Sequence, residues 1–176
     1  MIILMGVAGA GKSMQGKILA DEHGYAWIST GEILRVLVTG KRRHEMLEGK
    51  LLSDEEMINM MDKVLDLIDP KQEFVLDGFP RTVPQADWLM DQAHGGRFDL
   101  TAVIHLGASE DVVRKRLLER GRQDDTDDAI GQRFSEYKSV TLPIIQHFRE
   151  EGATVCDIDA SQDPRDVHDA ILKCVD

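Results

Sequence analysis

The chain has 176 residues with 32 acidic against 21 basic side chains, a formal charge of −11. That length suits one domain with one sizeable core, burying roughly 70% of the unfolded surface. A hydrophobic content of 42% excludes an acidic disordered chain, and the acid excess argues against coating nucleic acid or an anionic membrane.

Short apolar runs alternate with longer amphipathic stretches, which predicts a parallel α/β sheet. Strands are expected over residues 1–5, 26–28, 74–76, 101–106 and 154–157. Helices are expected over 12–23, 31–39, 54–68, 84–93, 110–119, 127–150 and 165–175. The run at 1–5 leads directly into a glycine-rich turn, so it reads as a buried strand rather than a signal segment. Ser53 with Glu56 three residues on forms a capping box. Behind it Met57, Met60, Met61, Val64, Leu65 and Ile68 recur at helical spacing and read as core. Pro143 should kink or split the long helix.

Cys156 and Cys174 are too few for a disulfide framework and read as a reduced thiol pair. No apolar run reaches the ~20 residues of a membrane span. These features predict a cytoplasmic protein with neither membrane nor nucleic-acid partner. His105 reads as a strand residue with its ring satisfied, and no catalytic triad or metal-ligand cluster is evident by spacing.

After the first strand, Gly6-Val7-Ala8-Gly9-Ala10-Gly11-Lys12-Ser13 matches the G-x-x-x-x-G-K-[ST] phosphate loop in full. Its small residues let successive N–H groups converge on a phosphate, and the following helix N-terminus adds positive potential. Lys12 is placed to reach the β- and γ-phosphates and Ser13 to meet Mg²⁺, so ATP or GTP binding is expected.

Four further segments concern a second substrate: Ser29-Thr30-Gly31-Glu32-Ile33-Leu34-Arg35; Gly49-Lys50-Leu51-Leu52-Ser53; Asp77-Gly78-Phe79-Pro80-Arg81-Thr82-Val83-Pro84-Gln85; and Arg116, Arg120, Arg122 and Arg133. With these motifs the chain closely resembles the adenylate kinases, within the nucleoside monophosphate kinases, from first strand to last helix.

The resemblance implies a P-loop three-layer α/β/α domain, residues 1–176, with a five-stranded parallel sheet in the order 2-3-1-4-5. An acceptor-binding lobe would lie at about 30–60 and a vestigial lid at about 120–125. It implies transfer of the γ-phosphoryl group of Mg·ATP to AMP, giving two ADP, by a monomer whose partners are small nucleotides. Gly9, Ala10, Gly11, Lys12, Ser13, Met14, Arg116 and Arg120 would bind ATP. Thr30, Arg35, Gly78, Arg81, Gln85, Arg122 and Arg133 would bind AMP, with Thr30 and Gln85 the adenine-selecting pair. Lys12, Arg81, Arg120, Arg122 and Arg133 would act on the moving phosphoryl group. Ser13 and Asp77 would hold Mg²⁺, Asp77 through water, with Glu32 near the same hydration shell; Asp124 and Asp125 would orient nearby arginines. Such a cluster of cations is what two polyanions in line require, because phosphoryl transfer is mainly positioning and charge neutralisation. Arg42, Arg43, Arg97, Arg149 and Arg165 read instead as solvated.

Three departures from the family pattern stand out. Ala8 replaces a usual proline, and Met14 a threonine that would donate to phosphate. Only Gly121 separates Arg120 from Arg122, so the lid is minimal; neither cysteine lies there, and no structural zinc is expected. The segment 36–48 is short and carries the basic run Lys41-Arg42-Arg43-His44, read as solvent-facing. Two alternatives stay open: a kinase for another nucleoside monophosphate, or a weakly catalytic regulatory module that binds nucleotide.

Overall fold

The computed structural model describes residues 1–39, 52–121 and 125–175. Five parallel strands, β1 (Ile2–Met5), β2 (Ala26–Ser29), β3 (Phe74–Asp77), β4 (Ala102–Gly107) and β5 (Val155–Asp159), form one sheet in the order β2-β3-β1-β4-β5. The described helices are α1 (Lys12–His23), α2 (Thr30–Leu37), α3 (Asp54–Leu65), α4 (Val83–His94), α5 (Glu110–Arg120), α6 (Asp127–Glu136), α7 (Leu142–Glu150) and α8 (Pro164–Val175). The basic run 41–44, Arg122 and Asp124 lie outside the described residues.

Every residue of β1 is buried, as a central parallel strand covered on both faces requires. Ile3 and Met5 face one apolar layer with Met57, Met61, Leu89 and Phe148. Ile2 and Leu4 face the other, with Leu19, Val113, Leu117 and Ile171. The strand's period of two thus divides the core between two helix layers. β1 pairs with β3 through Leu4↔Asp77 and with β4 through Met5↔His105. The chain winds away on opposite sides of β1, which opens a crevice at the carboxyl ends of the strands.

The expected elements are present, with informative differences at their ends. β2 to β5 each run one or two residues further than apolar patterning predicts, because polar ends still pair: Ser29↔Asp77 and Gly107↔Asp159. α3 stops at Leu65, three residues early. There Leu67 N–H donates to Val64 O at 3.1 Å and Ile68 N–H to Leu65 O at 3.2 Å, a tightened last turn before Asp69-Pro70. The expected helix 127–150 divides into α6, a π turn (Tyr137–Thr141) and α7. Pro143 has no N–H to give, and Leu142 N–H reaches back five residues to Tyr137 O.

The cysteine reading is overturned. Cys156 on β5 and Cys174 on α8 form a disulfide, with Cα atoms 6.5 Å apart, inside the ordinary range. Helix α8 folds back along the sheet, so Val167, Ile171 and Cys174 share the face that meets Cys156 and Ile158. Spacing along the chain could not show this, and the pair no longer argues for a reducing compartment. Arg97 is likewise not simply solvated. Its guanidinium binds Asp62 Oδ1 at 2.6 Å and Asp66 Oδ1 at 2.5 Å, fastening the end of α3 to the loop after α4. Among the described residues no helix is long and apolar enough to cross a membrane.

Candidate active site

The phosphate loop leaves β1 and is pressed against β4 and α5. A Cβ on Gly6 (φ +142°) would lie 2.5 Å from Leu106 O, and one on Gly9 (φ +87°) 2.8 Å from Leu117 Cγ, so no other residue fits without displacement. Ala10 is buried, and Gly11 sits at the N-cap of α1. Lys12 folds over the loop, donating to Gly6 O at 2.7 Å and Val7 O at 3.0 Å. Its pKa is lowered to about 8, first by desolvation and then by the positive charges of Arg81 and Arg120, while Asp77 acts in the opposite direction. One lysine therefore senses the third strand, the loop after it and the end of α5. Met14 is 53% exposed and takes no part in the core.

Asp77 ends β3 beside the loop and is 3% exposed. Ser13 Oγ donates to its Oδ2 at 2.6 Å, which brings together the two side chains expected at the metal. Thr30 is fully buried, its hydroxyl donating to Asp77 O at 3.3 Å. Gly78 has φ +85°, and a Cβ there would lie 2.6 Å from Thr30 Oγ1. Arg81 Nε donates to Gly78 O at 2.8 Å. Desolvation lowers the Arg81 pKa, with Arg133 acting alongside, while Asp77 and Glu136 raise it. The loop thus carries a guanidinium to the strand ends and aims it over the crevice.

Gln85 is buried, but its amide is already engaged. Its Oε1 accepts from Arg81 N–H at 2.8 Å and its Nε2 donates to Asp54 Oδ1 at 2.8 Å, where Thr82 Oγ1 also donates at 2.7 Å. Asp54 is a residue the sequence reading missed beyond its place in a capped first turn. Nothing in its spacing tells that it would close this loop.

Arg120 and Arg133 converge on Asp125, whose carboxylate is fully enclosed. Arg120 makes a two-point contact at 2.9 and 2.6 Å, and Arg133 Nη1 donates at 3.0 Å. A buried carboxylate holding two guanidinium groups fixes their planes, which agrees with the orienting role expected of Asp125. Arg116, one turn before Arg120, donates to Ala160 O at 2.7 Å in the loop after β5. Arg35 lies apart on α2, half-exposed and paired with Glu32 at 2.6 Å. Lys12, Asp77, Arg81, Arg120 and Arg133 therefore gather as one electrostatic group, while Arg116 and the Arg35–Glu32 pair stand elsewhere on the rim. Glu136, whose charge reaches Arg81, was not anticipated.

His105 behaves as expected, with Nδ1 2.6 Å from Asp157 Oδ1 and Nε2 against the Tyr137 hydroxyl. Spacing along the chain shows no metal-ligand cluster, but the fold brings a group of candidate ligands together. Packing of α8 on α1 brings His168 beside Glu22 and His23, a meeting invisible to local spacing.

With this geometry in place, comparison with known proteins is direct. A family model described as adenylate kinase matches residues 4–153. Adenylate kinase of Corynebacterium urealyticum is 36% identical over 181 residues, covering 99% of this chain and 98% of the relative. Those of Corynebacterium diphtheriae and Mycobacterium sp. (strain MCS) are 36% and 38% identical over 160 residues, each covering 88% of both chains.

Proposed function

This chain belongs to the adenylate kinase family, and on that premise we propose how its crevice carries out the transfer of a phosphoryl group from ATP to AMP to give two ADP. The observation that carries the reading is the convergence of Lys12, Arg81, Arg120 and Arg133 around the phosphate loop and Asp77. A single nucleotide triphosphate needs the loop and one or two cations. A further cation delivered by the separate loop after β3, Arg81, is what a second phosphate, brought in line with the first, demands.

In this assignment the amides of Gly9, Ala10, Gly11, Lys12, Ser13 and Met14 cradle the ATP phosphates, and Lys12 leaves its loop carbonyls for them. Arg120 lies along the triphosphate and Arg116 beside the adenine. Arg35 and Arg81 clamp the AMP phosphate in two-point contacts, while Gly78 lets that phosphate approach the backbone. Thr30 and Gln85 meet the AMP base, Gln85 by exchanging its bond to Asp54. Arg133, held by Asp125, meets the γ-phosphoryl group as charge spreads over its oxygens; Arg122 joins it by family resemblance.

Ser13 and Asp77 offer hydroxyl and carboxylate oxygens, one of them on a buried side chain, a donor set that fits Mg²⁺. When bound, the ion supplies neutralisation of phosphate charge. Glu32 belongs to the outer part of that site. The same reading treats residues 1–176 as one kinase domain with an acceptor lobe at about 30–60 and a lid at about 120–125. It also makes the protein a cytoplasmic monomer without nucleic-acid partners.

Arg81→Ala tests the division of labour between the two substrates. The kcat/KM for AMP should fall roughly 10²–10³-fold, the scale of one lost phosphate clamp, while the Kd for ATP changes little. Equal loss of both would contradict an acceptor role.

A further inference from the structure

The far end of α1 and the middle of α8 meet in a cluster the phosphoryl-transfer site does not use. Glu22 and His23 close α1, and His168, nearly buried, projects from α8 between them. One ligand atom from each lies within 4.8 Å of the others, and His168 Nε2 is 3.1 Å from Glu22 Oε2.

The protons around His168 follow from its neighbours. Gln15 Nε2 donates to Pro164 O at 2.8 Å, which turns Gln15 Oε1 toward His168 Nδ1 at 3.2 Å. A carbonyl oxygen only accepts, so Nδ1 carries a hydrogen. The other ring nitrogen therefore points its second position at a carboxylate. Nε2 and the Glu22 carboxylate thus face each other at 3.1 Å as two donor atoms that one metal ion could bridge. His23, stacked on Tyr25 at 5.3 Å, supplies a second imidazole at the same place.

We propose that Glu22, His23 and His168 form a binding site for a divalent transition-metal ion of the zinc class, with water completing the shell. Two imidazoles and one carboxylate are the donors such ions prefer, whereas Mg²⁺ and Ca²⁺ prefer all-oxygen sites. Around a tetrahedral ion with bonds near 2.1 Å, ligand atoms stand about 3.4 Å apart. The His168–Glu22 edge, at 3.1 Å, is within a few tenths of an ångström of that, and the exposed His23 and Glu22 side chains can adjust to close the other two edges. Gln15 is then a positioning residue that fixes the tautomer of His168, as partners of metal-bound histidines generally do. The C-terminal end of α1 adds negative potential.

Eleven residue steps of helix, about 16 Å, separate His23 from Lys12. The ion would therefore not take part in phosphoryl transfer; it would tie the helix that starts at the phosphate loop to the C-terminal helix. It would stabilise the fold in proportion to its occupancy.

The test uses the untagged full chain, stripped with EDTA and dialysed, titrated with ZnCl₂ in excess MgCl₂ by calorimetry and followed by thermal unfolding. One saturable equivalent of Zn²⁺ and a raised Tm are expected. His23→Ala and Glu22→Gln, both at exposed positions, should each weaken binding about tenfold or more and abolish the shift in Tm. Absence of saturable binding, or equal affinity in both variants and the parent, would overturn the proposal.

Discussion

Ser13 Oγ stands 2.6 Å from Asp77 Oδ2, so a hydrogen bond ties the first turn of the phosphate-loop helix to the end of the neighbouring strand. The contact spans 64 positions in sequence yet only one strand spacing in the sheet, because β1 and β3 pair through Leu4↔Asp77. It places a buried negative charge near Lys12, which partly opposes the desolvation that lowers that lysine's pKa.

Lys12 has a folded pKa of about 8 against 10.5 in the unfolded chain. The free protein therefore keeps this positive charge below pH 8 and loses it above, and kcat/KM for ATP should decline as pH rises through about 8. Asp77→Asn removes a charge that raises this pKa, so the midpoint should move lower. Between pH 8 and 10.5 the unfolded chain binds the extra proton, so stability should rise with pH across that window. Lys12→Met should accordingly unfold at higher temperature than the parent at neutral pH, with the gap closing above pH 10.5. A flat pH profile for ATP use across this range would contradict the shift.

In the proposed assignment Met14, 53% exposed, stands where a threonine hydroxyl would donate to phosphate. A hydrogen bond to a charged group contributes about 1.5–3 kcal/mol. Met14→Thr should therefore tighten ATP binding roughly 10–100-fold by calorimetry, with little change in Tm because no core contact is lost. Unchanged affinity would mean the loop amides already satisfy the phosphates.

The Cys156–Cys174 disulfide joins residues 18 positions apart. A loop of that size is worth about 3 kcal/mol in chain entropy. Reductant, or the Cys156→Ser variant, should lower Tm by several degrees, and reductant should have no effect on that variant. Identical melting with and without reductant in the parent would show that the thiols are not paired in solution.

Much of this molecule was legible in its residues, and the gaps have physical causes. The central strand and the phosphate loop announce themselves because burial on both faces and close approach to phosphate permit few residue types. Strand ends were cut short because Ser29, Asp77 and Asp159 are polar at the positions where the sheet opens onto the crevice. The disulfide, the Asp54 bridge to Gln85 and the meeting of Glu22 with His168 join parts of the chain from 18 to 146 positions apart. Helix packing decides such contacts, and local patterning carries no record of it. The arginines were recognised as a group only through family resemblance, since an isolated arginine on a helix is ordinarily solvated.

The central claim is that two nucleotides meet in one crevice and exchange a phosphoryl group. Incubation with Mg·ATP and AMP, and in parallel with UMP, CMP, GMP and dAMP, followed by quantification of every nucleotide and of free phosphate, tests it most directly. ATP and AMP should disappear one for one with two ADP formed, and UMP and CMP should be poor acceptors. Turnover confined to UMP or CMP, or ATP binding by folded protein with no acceptor phosphorylated, would contradict it.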